Sequence, residues 1–144
     1  MKKQALLVAS VCLAIGFAAA PAHAQAGALR ANVKFDFTFA GKNFPAGEYT
    51  MFADPARRLV TVQDSQKNMT AASLYVPSSD RTVAANGRAI FQCYAEHCFL
   101  GEVWTPGRQV GAKFYASSAE KELARKETKT YMAVAGETKT ATGQ

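Results

Sequence analysis

The residues best equipped for chemistry lie in one short word, "CYAEHC", residues 93 to 98. Cys93, His97 and Cys98 could form a thiol redox site, part of a metal site, or a disulfide. Oxidoreductase thiols usually sit as Cys-x-x-Cys at a helix N-terminus, where the backbone dipole lowers the thiol pKa. Here the spacing is longer and the neighbours are strand formers. His97 could stabilise a thiolate at Cys98, but adjacent strand residues point to opposite faces. A structural zinc site needs four ligands, and this word offers three unless Glu96 or a second chain contributes. A disulfide between Cys93 and Cys98 fits best if "RAIFQC" enters and "CFLGEVW" leaves as paired strands. Tyr94 to His97 would then be a four-residue loop. In that register Phe91 opposes Leu100 and Ile90 opposes Gly101. Closing so small a loop contributes roughly 2 kcal/mol in the chain-entropy model.

Compartment supports the disulfide. Lys2 and Lys3 precede the apolar run "ALLVASVCLAIGFAAA", and "AHA" ends it with the small–x–small pattern of signal peptidase. Residues 1–24 therefore read as a signal peptide cleaved after Ala24. The run is short for a transmembrane span, and Val11 before Cys12 argues against lipidation. No integral span is expected after cleavage, and the chain is expected to be periplasmic or secreted. Removal takes away the third cysteine, leaving an even count in an oxidising compartment.

Other catalytic arrangements find little support. After cleavage His97 is the only histidine, and no Gly-x-Ser-x-Gly word accompanies it. Asp36, Glu48, Asp54, Asp64, Glu96 and Glu102 are available as carboxylates, yet no spacing singles out a glycosidase pair. Glu102 draws most interest because it sits in an apolar strand beside Val103 and Trp104. It is expected on the same face as Phe91, Leu100 and Trp104, paired with Arg88 or at a sheet edge. No catalytic residue, metal ligand or cofactor site is assigned.

The elements that would position these residues read as strands. "VKFDFTF" (33–39) alternates strictly, with Val33, Phe35, Phe37 and Phe39 on one face. "PAG" (45–47) suits a tight turn into "EYTMF". "ADPARR" turns the chain into "RLVTVQD" (58–64), and "SQKN" (65–68) turns it into "MTAASLYV" (69–76), closed by "PSSDR". Asn86–Gly87 suits a type I′ hairpin. Pro106–Gly107 suits a type II turn joining "CFLGEVW" (98–104) to "QVGAKFYA" (109–116). The fold expected is mainly β: an antiparallel meander of about eight short strands forming a small barrel or a two-sheet sandwich. One C-terminal surface helix (117–127) follows, with Ser117 and Glu120 spaced as a capping box. The β-domain with its helix spans 25–127. Residues 128–144, which repeat "ETKT", read as a flexible tail.

The full chain has 144 residues and a net charge of +6. Losing Lys2 and Lys3 lowers that to +4, with the basic residues scattered. A nucleic-acid binder concentrates them in a stripe with interleaved aromatics, so nucleic acid is not an expected partner. Nine Phe, five Tyr and one Trp chiefly supply a core. Trp104, Tyr75 and Tyr115, with Glu102, are the candidates for a ligand or partner surface. Shorter strands than membrane strands and charges on both faces argue against an outer-membrane barrel.

"VKFDFTFAGKNFPAGEYTM", "IFQCYAEHCFLGEVWTPG" and "SSAEKELAR" together resemble a family of small signal-bearing exported β-proteins of soil-dwelling Gram-negative bacteria. The resemblance spans most of residues 32–126. It implies an exported β-domain with no assigned activity, and so transfers no catalytic residue. Cys93 and Cys98 depart from the longer polar or aromatic residues expected there, as an optional disulfide would. The function expected is a non-enzymatic exported domain binding a protein partner or cell-envelope component. The alternative is a small β-barrel carrying an apolar or carbohydrate ligand, with an enzyme third.

Overall fold

The computed structural model describes residues 27–83 and 85–137; the expected signal peptide and its expected cleavage site at Ala24 lie outside them. In chain order come β1 (Gly27–Val33), β2 (Phe37–Phe39), β3 (Lys42–Phe44), β4 (Gly47–Asp54), β5 (Leu59–Asp64) and β6 (Thr70–Leu74). Then follow β7 (Val76–Ser79), β8 (Arg88–Tyr94), β9 (His97–Trp104), β10 (Val110–Lys113), α1 (Ser118–Ala124) and β11 (Lys129–Ala135). Two sheets face each other without closing. The first has the order β1-β4-β5-β6 and the second β11-β8-β9-β10-β7, with β2 and β3 attached beside β9. The fold is therefore a sandwich rather than a closed barrel.

Alternation drives the assembly. Leu29, Ala31 and Val33, Tyr49 and Met51, and Val60 and Val62 bury one face of the first sheet. Phe37, Phe39, Phe91, Leu100, Val103 and Ala112 bury the facing side of the second. Phe37 lies at the centre, stacked on Phe44 at 5.2 Å and edge-on to Tyr49 and Phe91 at 5.1 Å each. Edge and stacked contacts of this kind stabilise by about 0.5–1.5 kcal/mol beyond the area they bury.

The expected strand over 33–39 keeps its face but changes sheets midway. The chain leaves the first sheet after Val33, enters the second at Phe37, and returns at residues 45–46. Asp36 ties the two crossings together by accepting the Ala46 N–H at 2.9 Å. "PAG" is thus a sheet-to-sheet crossing rather than a hairpin, and Gly47 needs no positive φ. Ala40–Gly41 makes the two-residue hairpin turn of β2 and β3 instead, with φ of 49° and 76°. Both central residues of a type I′ turn need positive φ.

Four further expectations change. "MTAASLYV" breaks at Tyr75, whose N–H donates to the Arg58 carbonyl. Part of "PSSDR" becomes β7, an edge strand paired with β10, a position that tolerates Pro77. Asn86–Gly87 joins no hairpin, because β8 pairs with β9 and β11 rather than β7. Only Gly87 has positive φ there, and a Cβ at that position would meet the Trp104 carbonyl oxygen at 2.3 Å. Residues 129–135, read as tail, form β11 in register with all of β8. That strand contains Tyr131, Met132, Ala133, Val134 and Ala135 between polar, Thr- and Lys-rich flanks, and Val134 packs against the core. The remaining tail residues from 138 lie outside the described part.

The Pro106–Gly107 turn forms as read. Gly107 has φ of 70° and the Arg108 N–H donates to the Thr105 carbonyl at 3.3 Å.

Candidate functional site

The β8–β9 hairpin holds the "CYAEHC" word. Cys93 and Cys98 are opposed in register and bonded as a disulfide, with Cα atoms 4.0 Å apart. Tyr94 pairs with His97, so the loop is a two-residue turn, Ala95–Glu96, with Ala95 at φ 52°. Pairing one step further than expected shortens the loop. Both cysteines are buried within the core cluster, while His97 is exposed at the turn. The sulfurs face the core and are joined to each other, so this hairpin presents no thiol to a substrate. Among the described residues no group of three or more His, Cys, Asp or Glu is placed to hold a metal ion.

Phe91 opposes Leu100 as expected, but Ile90 opposes Glu102, because the register shifts at Ile90/Phe91. Gly101 is the additional residue of a β-bulge. One extra residue reverses the faces beyond it. Glu102 and Trp104 therefore lie on the outer face, opposite Phe91 and Leu100, correcting the expectation that all four share a face. The bulge also divides the far edge of β9. Residues 98–99 pair with β2, and residues 102–103 pair with β10.

On that outer face Trp104 is only 4% exposed. Its indole lies across Gly111, where a Cβ would come within 2.4 Å of the ring. Its ring N–H donates to Glu102 at 2.8 Å, and the Arg88 guanidinium sits 5.1 Å from the ring centroid. Arg88 pairs with Asp80 at 2.6 Å rather than with Glu102. The Thr82 backbone N–H, then the Arg88 side chain, hold the Asp80 carboxyl below its ordinary value. Trp104 and Glu102 are thus engaged with one another. Tyr75 is half-buried against the core, on the wall of a small cleft with Val103 and Thr105. Of the four candidate surface residues only Tyr115 stands free, 80% exposed.

Tyr115 leads to a site the sequence did not single out. A cleft of about 250 Å³ opens between the β2–β3 turn, β9 and the segment entering α1. Phe39, Phe99 and Phe114 line it, with Thr38, Ser73 and Ser117 supplying hydroxyls and Tyr115 at its rim. Phe39 and Phe114 meet edge-on at 5.0 Å. Glu120, only 6% exposed, also lines the cleft.

Local sequence positions Glu120. Ser117 caps α1 and accepts the Glu120 N–H at 3.1 Å. The Glu120 carboxylate in turn accepts the Ser117 backbone N–H, completing the capping box read from the sequence. The Tyr94 hydroxyl, on the outer face of β8, reaches Glu120 Oε1 at 3.2 Å. Burial raises the Glu120 carboxyl above its ordinary value, against the Tyr94 hydrogen bond and Lys129, which lower it. Tyr94 is also raised by burial. Lys129 is raised by its hydrogen bond to Tyr94, and its ammonium lies 5.8 Å from the Tyr94 ring and 5.7 Å from that of Tyr131. The network therefore runs Lys129–Tyr94–Glu120 and ends in the cleft. Glu120 was legible as half of a capping box, but its burial depends on Tyr94 and Lys129. Lys129 could not be placed until β11 was.

No protein-family model, curated protein or solved structure matches this chain.

Proposed function

We propose that this chain is an exported, non-enzymatic β-domain that binds a protein partner or cell-envelope component through the cleft beside α1. The observation carrying this reading is an open, aromatic-lined cleft with a buried carboxylate in its wall and Tyr115 exposed at its rim. Exposed aromatics beside a concave polar group are what binding sites use for contact area and orientation. The space between the sheets is filled by Phe35, Phe37, Phe44, Tyr49 and Phe91. That packing supports holding a ligand at the surface rather than inside a barrel.

The export signal, the motif resemblance and the buried disulfide support a periplasmic or secreted location. No helix among the described residues is long and apolar enough to cross a membrane.

The test places a photo-crosslinking residue at position 115, and separately at position 52 on the outer face of the first sheet, in cells exporting the full chain. A discrete cross-linked species from position 115 and none from position 52 is the expected result. Equal labelling from both positions, or none from 115, would overturn the reading.

A further inference from the structure

The cleft walls carry a charge asymmetry that narrows the ligand. Among the residues lining it, Glu120 is the only charged side chain; the others are aromatic, aliphatic, glycine or hydroxyl-bearing. Two groups satisfy part of its carboxylate, the Tyr94 hydroxyl and the Ser117 backbone N–H. An ionised carboxylate has about four acceptor positions, so acceptor capacity remains beyond these two. Lys129 does not line the cleft and meets Tyr94 through that residue's hydroxyl and ring. Phe39, Phe99, Phe114 and Tyr115 line the same cleft as Glu120. A carboxylate beside aromatic rings favours a cation that can donate charge-assisted hydrogen bonds and rest against a ring face. The same arrangement disfavours phosphate, sulfate or carboxylate ligands, which would meet the Glu120 carboxylate in a cleft lined by no cationic side chain. The volume of about 250 Å³ suits a group of several heavy atoms rather than a drug-sized molecule.

We infer that the α1 cleft binds an alkylammonium group, with Glu120 accepting its N–H donors and Phe39, Phe99, Phe114 and Tyr115 packing its methylenes. This inference rests on the binding reading above and names the ligand chemistry of the same cleft. The ammonium has two sources, a free amine or the lysine side chain of a partner. Protonation of Glu120 removes the counter-charge, so binding weakens as pH falls. The titratable groups near Glu120 are Tyr94 from β8, Lys129 from β11, and Tyr115 from the segment before α1. Thr38, Ala40 and Gly41 of the β2–β3 hairpin contribute no charge.

The experiment is calorimetric titration of the full exported chain at pH 8 with n-pentylamine, n-pentanol, a lysine-containing peptide and that peptide acetylated on lysine. The amine is expected to bind at least about tenfold more tightly than the isosteric alcohol, the scale of a charge-assisted pair. Glu120→Gln, which keeps the capping box, is expected to lose that preference, and acidification to weaken it in the native chain. A free-amine source gives tight pentylamine and weak peptide binding; a lysine source gives peptide binding that acetylation removes. Equal affinity for amine and alcohol would overturn the inference, and that comparison needs no variant, so it stands even if Glu120→Gln folds poorly. Should amines fail while position 115 still cross-links, the ligand chemistry falls and the binding reading survives. Loss of both removes both.

Discussion

Two regions on the outer side of the second sheet combine an aromatic ring, a carboxylate and a cation, and they end differently. At Trp104 every functional group is turned onto a neighbour: ring N–H to Glu102, ring face to Arg88, guanidinium to Asp80. Gly111 leaves room for the indole to lie flat on the sheet. At α1 the chain of Lys129, Tyr94 and Glu120 stops in a cleft whose rim tyrosine is exposed. The same residue types thus make a closed cover in one place and an open wall in the other. Which is which depends on whether the last carboxylate borders a cleft, as Glu120 does, or lies under a ring, and residue type alone does not reveal that.

The comparison breaks first at Trp104. Trp104→Ala is expected to cost about 3–5 kcal/mol, the range for deleting a buried large aromatic side chain. The urea midpoint would report it, and a loss below about 1 kcal/mol would show that the cover is not structural. Amine binding by the folded variant should be unchanged. Next in size is the disulfide. Replacing Cys93 and Cys98 together by Ser is expected to cost roughly 2 kcal/mol, read by the same midpoint, with cleft binding retained.

Smaller still is the capping box. Ser117→Ala removes the acceptor for the Glu120 N–H and should cost about 1 kcal/mol, while loosening the wall that positions Glu120. Glu120 also gives the α1 region its own pH dependence. Burial raises its carboxyl above the ordinary 4.5, so the native state holds that proton more tightly than the unfolded chain. Between 4.5 and the raised value stability rises as pH falls. The penalty for ionisation is fully present above the raised value and gone below 4.5. Comparing midpoints of the native chain and Glu120→Gln across this window should show the slope in the former and not in the latter. Asp80 has the opposite sign: its lowered carboxyl supports stability above the ordinary 3.8, and that support fades as pH falls through the lower native value. The least expected change is Tyr115→Ala, within about 0.5 kcal/mol for so exposed a residue, yet with weakened amine binding.

Much of the fold was legible because alternation is a local signal. Val33, Phe37, Phe39, Tyr49 and Phe91 face inward as period two requires, and Cys93 meets Cys98, whereas the part of β1 before Val33 was not read as a strand. What was not legible depended on distant partners. Nothing in "VKFDFTF" announces that the strand changes sheets at Lys34–Asp36, since either sheet accepts the same apolar face. The Gly101 bulge was equally hidden, although one residue of shift moved Glu102 and Trp104 to the outer face. β11 was missed because its short apolar run, Tyr131–Ala135, lies between two polar "ETKT" words and its pairing partner β8 is distant in sequence. With it went Lys129 and the charge at the far end of the Tyr94–Glu120 network. Tyr115 was found, but as a single exposed ring rather than the rim of a cleft.

The central claim is that the α1 cleft, and not the Trp104 cover, receives a ligand. The most direct measurement is a two-dimensional ¹H–¹⁵N spectrum of the chain titrated with n-pentylamine at pH 8. Shifts are expected to concentrate at Thr38–Gly41, Phe99 and Phe114–Glu120, with Arg88, Trp104 and Gly111 unmoved. Shifts centred on Arg88 and Trp104, or no saturable shifts at the cleft, would contradict it.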